Sequence, residues 1–371
     1  MKTGVRRRPF DFILFLSMLM LLTIGVVMVF SASAPIAQSN NTDIYHYLKS
    51  QLMFAGIGLA ALIFLANVNY KILEKFAPLM LAGSIVLLIL VLIPGIGRPI
   101  KDTWRWFEIA GVQFQPSEIA KFAIILFFAW SLSKRRNDLK FFWKGFIPYI
   151  LVIGVFAALL ILEPHLSGTI IITMIALVML FSAGAKISHF VVIAAPFAAI
   201  FAIVVATVDY MKVRVLSFIN PWNDPLESGW QVIQSLYAIG SGGLFGRGLG
   251  RSMQKFLYIS EPTNDFIFSV MAEELGFIGV LLVLSLFALF IWRGVKIAVN
   301  TSDMFGSLMA IGITALIAIQ AILNIAVVTS SIPPTGVSLP FISSGGTSLI
   351  MFMAEVGILL NISRYSKYDR I

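Results

Sequence analysis

The sequence predicts an all-α polytopic membrane protein. It has about ten transmembrane helices, both termini cytoplasmic, and one large extracytoplasmic loop between helices 7 and 8. Three observations predict this. Of 371 residues, 59% are hydrophobic and 12% charged, where a soluble domain carries about 25% charged residues. Apolar windows of about 20 residues, enough to cross the hydrocarbon core of a bilayer, recur along the chain. Lysine and arginine then concentrate on alternate connections, as they do on the cytoplasmic side. The chain has no cysteine, which excludes disulfides and thiolate metal sites. The three histidines, His46, His165 and His189, make no ligand spacing. The net charge of +9 is read by side of the membrane and is no signal for nucleic acid.

The first apolar run, Phe12 to Phe30, follows a basic start and so imitates a signal peptide. It exceeds a typical signal core and no small-x-small cleavage site follows closely, so it reads as an uncleaved span. Spans are placed at 11–32, 50–69, 76–95, 116–133, 146–163, 168–185, 188–208, 267–294, 305–330 and 346–362. With the N-terminus inside, the inner segments hold 17 of the 27 basic residues against five acids. The segment 209–266 is then outside. It contains Asn220-Pro-Trp-Asn-Asp-Pro225, a turn with an interfacial Trp. Next comes a stretch over 228–238 suited to a short amphipathic helix lying on the membrane. The glycines of Ile239–Gly250 permit tight turns and close backbone approach. No strand precedes them and no Gly-Lys-Ser/Thr ends them, so this is not a nucleotide loop. The chain as a whole is expected to form one membrane domain.

Charged groups at membrane depth mark function or pair with one another. Asp265 stands where the outer loop becomes the eighth span. It is either a helix N-cap or a lone acid at the edge of a low-dielectric cavity, placed to take a proton. Gln115-Pro-Ser-Glu118 opens the fourth span, with Lys121 three residues beyond Glu118, close enough to pair. Arg105 lies between Trp104 and Trp106, as an interface anchor or as a reach toward phosphate. Glu163 is an acid in a short outer turn with no local partner. Beyond Asp265, Ser269, Ala272, Glu273 and Gly276 share its helix face and Glu274 does not. Glu273 is therefore expected to look into the same cavity. Ser331–Ser348, with three prolines, is irregular backbone that must be buried against protein or water. Ser348 and Glu355 share a face of the final helix.

In combination these residues resemble the SEDS proteins (shape, elongation, division, sporulation), the group containing RodA, FtsW and SpoVE, over essentially the whole chain. The motifs are Arg105-Trp106, Gln115-Pro-Ser-Glu118 with Lys121, Asn220-Pro-Trp222 with Asp224-Pro225, Gln234-Ser235, Gly240-Ser-Gly-Gly-Leu-Phe-Gly246, Asp265-Phe-Ile-Phe268, Glu273-Glu-Leu-Gly276 and Gly345-Gly346. Gln254-Lys255-Phe256 and Asn361-Ile-Ser-Arg-Tyr365 place it nearer the FtsW/SpoVE branch. The family's Gln-Pro-Asp-Leu-Gly turn reads Glu163-Pro-His-Leu-Ser167 here. Its Ser-Tyr-Gly-Gly-Ser reads Ser343-Ser-Gly-Gly-Thr347, and a Gly-Ser/Ala pair reads Asp102-Thr103. No role is carried onto His165.

The resemblance implies a peptidoglycan glycosyltransferase that polymerises lipid II on the outer face of the bacterial cytoplasmic membrane, paired with a class B penicillin-binding protein. The family's essential aspartate maps onto Asp265. A pyrophosphate already leaves well, so one base plus cationic stabilisation suffices, where a glycosidase needs two carboxyls. The outer cations are Arg105, Lys121, Arg214, Arg247 and Lys255, with Arg105 and Lys121 ranked first by motif. Substrate binding is expected from Arg105, Lys121, Glu118, Gln115, Ser117, Gln234, Arg214, Lys255 and Glu273. A divalent cation would assist, but the sequence shows no cage for one. Two other readings stay open. One is a flippase of lipid-linked precursor, which would use the same polar cavity. The other is a scaffold subunit, in which Asp265 only caps its helix.

Overall fold

A computed structural model describes residues 9–100, 103–109, 112–207, 209–227, 229–256 and 258–366. The helices are α1 (Phe12–Ser39), α2 (His46–Asn67), α3 (Leu73–Val91), α4 (Pro116–Arg135), α5 (Ile147–Leu162), α6 (Leu166–Ser182), α7 (Ile187–Thr207), α8 (Asp209–Ile219), α9 (Trp230–Ser241), α10 (Ile267–Asn300), α11 (Met304–Val328) and α12 (Gly346–Ser363). Among the described residues, eight helices are long and apolar enough to cross a membrane. The apolar α6 and the apolar first part of α7 bring the set to the ten spans expected. The protein is a multi-pass membrane protein.

Three helices form the centre. The apolar windows of α4, α11 and α12 are 72%, 61% and 67% buried, against 17% for α2 and α3, whose outer faces are left to lipid. Lipid tails are as apolar as leucine, so close packing and polar contacts hold such helices together. At Gly357 of α12 a Cβ would meet the Leu62 backbone of α2, so the small residue lets these two helices touch.

Polar locks tie the termini to one face. The Asp11 carboxylate caps α1 through the Leu14 N–H (3.0 Å) and takes Arg293 Nη2 at 2.6 Å. The Asp11 N–H donates to Ser363 Oγ at 3.0 Å. Nearby, Asn361 Nδ2 donates to Ala66 O (2.8 Å), Asn361 Oδ1 accepts from Tyr70 N–H (3.1 Å), and the Tyr70 hydroxyl bonds Asp303. The start of α1 and the end of α12 therefore share a face, as the charge bias requires.

One element is not helical. Strands β1 (Arg98–Ile100), β2 (Thr103–Ile109) and β3 (Val112–Phe114) form an antiparallel sheet in the order β1-β2-β3 between α3 and α4. Its register pairs Trp104 with Pro99 and Phe107 with Phe114. The run Thr-Trp-Arg-Trp-Phe-Glu-Ile carries the β-branched and aromatic residues that favour strands. The outer loop is also more built than expected. Helix α9 buries Val232, Ile233, Gln234, Ser235 and Ala238 against the bundle. The Ser235 hydroxyl bonds Ser269 Oγ and Val328 O, both at 2.7 Å.

Candidate active site

Asp265 lies where the outer loop runs into α10. The capping position falls one residue later, on Phe266, which makes no side-chain cap bond. The carboxylate is half-buried. Its residue is fixed through the backbone: Asn324 Nδ2 of α11 donates to Asp265 O at 2.8 Å and also to Val337 O at 2.7 Å. One buried amide thus joins the mouth of α10 to the irregular segment 331–345. That segment lies directly over the acid, since a Cβ on Gly336 would stand 3.1 Å from Asp265 Oδ2. Ser343 Oγ donates to Asn264 O (2.7 Å) and Ser344 N–H to Thr263 O (2.8 Å), completing the seam. The backbone here is irregular because protein, not lipid, covers it.

The helix after Asp265 is long for one span because it is two helices in line. It breaks at Gly276, with φ 66° and ψ −169°, a region essentially reserved for glycine. A break leaves carbonyls and N–H groups without partners, and the Gly-rich turn supplies them. Arg247 and Gly248 N–H groups donate to Glu273 O (2.9 Å) and Glu274 O (3.0 Å), while Phe277 and Ile278 N–H groups donate to Gly243 O (2.9 Å) and Leu244 O (3.1 Å). A Cβ at 276 would collide with Gly246 N, and one at 246 with the Glu274 carbonyl.

The two glutamates of this motif hold the same loop. The Glu273 carboxylate accepts from Ser252 Oγ (2.6 Å), Met253 N–H (3.0 Å) and Gln254 N–H (3.3 Å), with Arg247 Nη1 at 3.5 Å. Glu274 takes Ser31 Oγ at 2.7 Å and Lys255 Nζ at 2.8 Å. Glu273, expected to face the Asp265 cavity, instead holds this loop. A buried carboxylate needs charge or hydrogen-bond donors; Glu273 finds its own in residues 247–254, and Glu274 in Lys255 and in Ser31 of α1. Lys255, almost fully enclosed, pairs with Glu274 at 2.8 Å, as Lys121 does with Glu118. Arg247 keeps part of its side chain in the open.

A second buried cluster surrounds α4. Lys121 Nζ lies 2.8 Å from Glu118, 3.4 Å from Gln320 Oε1 and 5.7 Å from the centre of the Phe352 ring. Glu355 of α12 is also buried, with Oε2 unpartnered. Gln115 precedes Pro116 at the start of α4, and its carbonyl accepts the Glu118 N–H at 3.1 Å. Ser117 Oγ is enclosed without a partner. Arg105, on β2, donates from Nε to Glu163 O at 2.9 Å and from Nη2 to Pro164 O, clamping the α5–α6 turn. Burial, then the cations Arg105 and Lys121, push the His165 imidazole down to about 3. Both cations therefore bear on one neutral buried ring.

Two amides that sequence reasoning passed over connect the clusters. Gln320 reaches Lys121 and Asn324 reaches Asp265. They lie one turn apart on one face of α11, so Asp265 and Lys121 are served from the same helix face. Two amides four residues apart in an apolar span were the available signal. Gln234 lines a groove of about 560 Å³ with Tyr237, Arg247, Met253, Gln254 and Tyr258. The Arg214 side chain lies outside the described residues. Among the described residues no group of three His, Asp or Glu side chains could hold a metal ion.

Ten apolar spans, a broken helix and buried acids, amides and cations away from the terminal face define a polytopic membrane protein with an intramembrane polar site. The chain belongs to the FtsW/RodA/SpoVE family, described as cell cycle proteins, which it matches over residues 12–368. It is 46% identical to stage V sporulation protein E of Bacillus subtilis (strain 168), over 96% of this chain and 98% of that one. It is 41% identical to a probable peptidoglycan glycosyltransferase FtsW of Geobacter sp. (strain M18), over 96% and 98% respectively. A chain solved in work on polymerization and crosslinking by a peptidoglycan synthase complex superposes with a TM-score of 0.80 at 28% identity, covering 97% of this chain and 99% of that one.

Proposed function

We propose that this protein is a peptidoglycan glycosyltransferase of the bacterial cytoplasmic membrane, polymerising lipid II on the outer face with Asp265 as general base. The observation that carries the assignment of the base is the placement of Asp265. Its backbone is held by Asn324, its carboxylate lies under Gly336, and the helix cap falls on the next residue. In the reaction, Asp265 takes the proton of the acceptor sugar hydroxyl as that oxygen attacks the donor's anomeric carbon. The bond from that carbon to the pyrophosphate breaks with inversion, and undecaprenyl pyrophosphate leaves with the electron pair. Arg105 and Lys121 supply positive charge, worth most where water is excluded. Glu118 and Gln320 orient Lys121, while Gln115 and Gln234 offer hydrogen bonds to the sugar and peptide.

The synthase complex among the similar structures supports a class B penicillin-binding protein as the partner that crosslinks the strands. The test is strand synthesis from purified lipid II by the purified chain, with and without that partner, for wild type and Asp265→Asn. The expected result is polymer from wild type and none from a folded Asp265→Asn protein. Wild-type rates from the variant would remove Asp265 as base. No polymer from wild type with its correct partner would favour translocation of lipid-linked precursor.

A further inference from the structure

The connection between α4 and α5 carries Lys134, Arg135, Arg136, Lys140 and Lys144 against a single acid, Asp138. It lies on the face that holds the termini, because Lys134 Nζ stands 3.4 Å from Glu74, four residues from the Tyr70 that bonds Asn361. The connection doubles back tightly. The Gly145 N–H donates to Phe141 O at 3.0 Å, and a Cβ at 145 would collide with the Asp138 carbonyl.

Between the doubled connection and the ends of α4 and α5 is a cavity of about 100 Å³, lined by Ser131, Arg135, Asp138, Lys144 and Tyr149 among others. Two buried hydroxyls, Ser131 Oγ and Tyr149 Oη, lie 2.8 Å apart in its wall. Arg135 and Lys144 stand at its edge, exposed, and neither makes an ion pair among the described residues. Beside them Phe141 and Trp143 are 63% and 77% exposed, as aromatic side chains are at a membrane interface.

Two unpaired cations and two hydroxyls around a small cavity are the chemistry of a phosphate site. The space takes a few waters or one phosphate group, and leaves no room for a nucleotide. The position at the ends of two spans, beside exposed aromatics, selects a lipid as the bearer of that phosphate. We propose that this cavity binds the headgroup phosphate of an anionic phospholipid from the leaflet on the terminal face. Arg135 and Lys144 pair with the phosphate, and the Tyr149 hydroxyl, accepting from Ser131 Oγ, donates to one of its oxygens. Asp138 accepts from a headgroup hydroxyl, which suits phosphatidylglycerol.

The test uses the full chain in phosphatidylcholine nanodiscs, titrated with phosphatidylglycerol and read by native mass spectrometry. One tightly held phosphatidylglycerol is expected. Affinity should fall about fivefold for each cavity cation removed, so about 25-fold in Arg135→Gln/Lys144→Gln. Arg136→Gln/Lys140→Gln removes the same charge away from the cavity and should cost clearly less. Tyr149→Phe should weaken binding with no change of charge. If the first double variant fails to fold, Lys144→Gln and Tyr149→Phe decide. Equal losses from the two double variants, or equal retention of phosphatidylcholine or phosphatidylethanolamine, would overturn the site. Displacement of the lipid by millimolar inorganic phosphate would overturn the assignment to lipid.

Discussion

Glu163 ends α5 with both carboxylate oxygens enclosed and without a hydrogen-bond partner. Burial pushes its pKa up to about 8, and Arg105 opposes the rise only in part. The side chain is therefore protonated at neutral pH. The folded protein keeps this proton up to about pH 8, while the unfolded chain releases it at about 4.3. Stability is fully present below the unfolded value and is lost as pH climbs to the folded one. Glu163→Gln removes the titration at nearly constant shape. Its melting temperature should exceed that of wild type by a margin that widens from pH 5 to 8 and then levels, measured by thermal unfolding in detergent. A margin independent of pH would show that the acid is ionised in the fold. At this scale the sequence exposed the anomaly, an acid in a short outer turn without a local partner. It could not show that Arg105 spends its N–H groups on the turn's carbonyls rather than on the carboxylate.

The decisive element is the broken helix α10. Gly276 needs its positive φ, and Gly246 needs to lack a side chain, because four backbone hydrogen bonds cross between the break and the Gly-rich turn. Gly276→Ala should cost about 3 kcal/mol from backbone strain alone, with the collision against residue 246 added. Gly240→Ala, in α9 with open space around it, should be neutral or slightly stabilising, as expected inside a helix. Thermal unfolding of the two variants in one detergent checks both, and equal effects would show that glycine content and not position matters. The motifs on either side of the break were legible as motifs. That they grip one another was not, because the partners are some thirty residues apart and meet only through tertiary backbone hydrogen bonds. The same reason hid the scaffolding roles of Glu273 and Lys255.

For the whole molecule the testable statement is sidedness. The chain has no cysteine, so a single introduced thiol reports one position. Lys140→Cys, on the terminal face, should react with a membrane-impermeant maleimide only after lysis. Leu226→Cys, in the outer loop and 78% exposed, should react on intact spheroplasts. The reverse pattern would invert the topology and place Asp265 on the cytoplasmic side, away from the proposed chemistry. The charge bias of the inner connections and the polar lock of Asp11, Arg293 and Ser363 agree on the common side of the termini.

The sequence by itself determined the number of spans and the family, because hydropathy and short motifs are local properties of the chain. It also marked Asp265, Glu118 and Lys121, since charge inside a membrane is costly enough to stand out. Tertiary structure alone decided which of these groups share a site. Gln320 and Asn324 align Lys121 with Asp265 along α11, Gly336 brings a distant loop over the carboxylate, and Glu274 withdraws Lys255 into the scaffold. Each of these depends on partners from other elements that sequence spacing does not encode. In a bilayer a buried polar group must find such a partner within the protein, so the fold and not the motif fixes what the group is free to do.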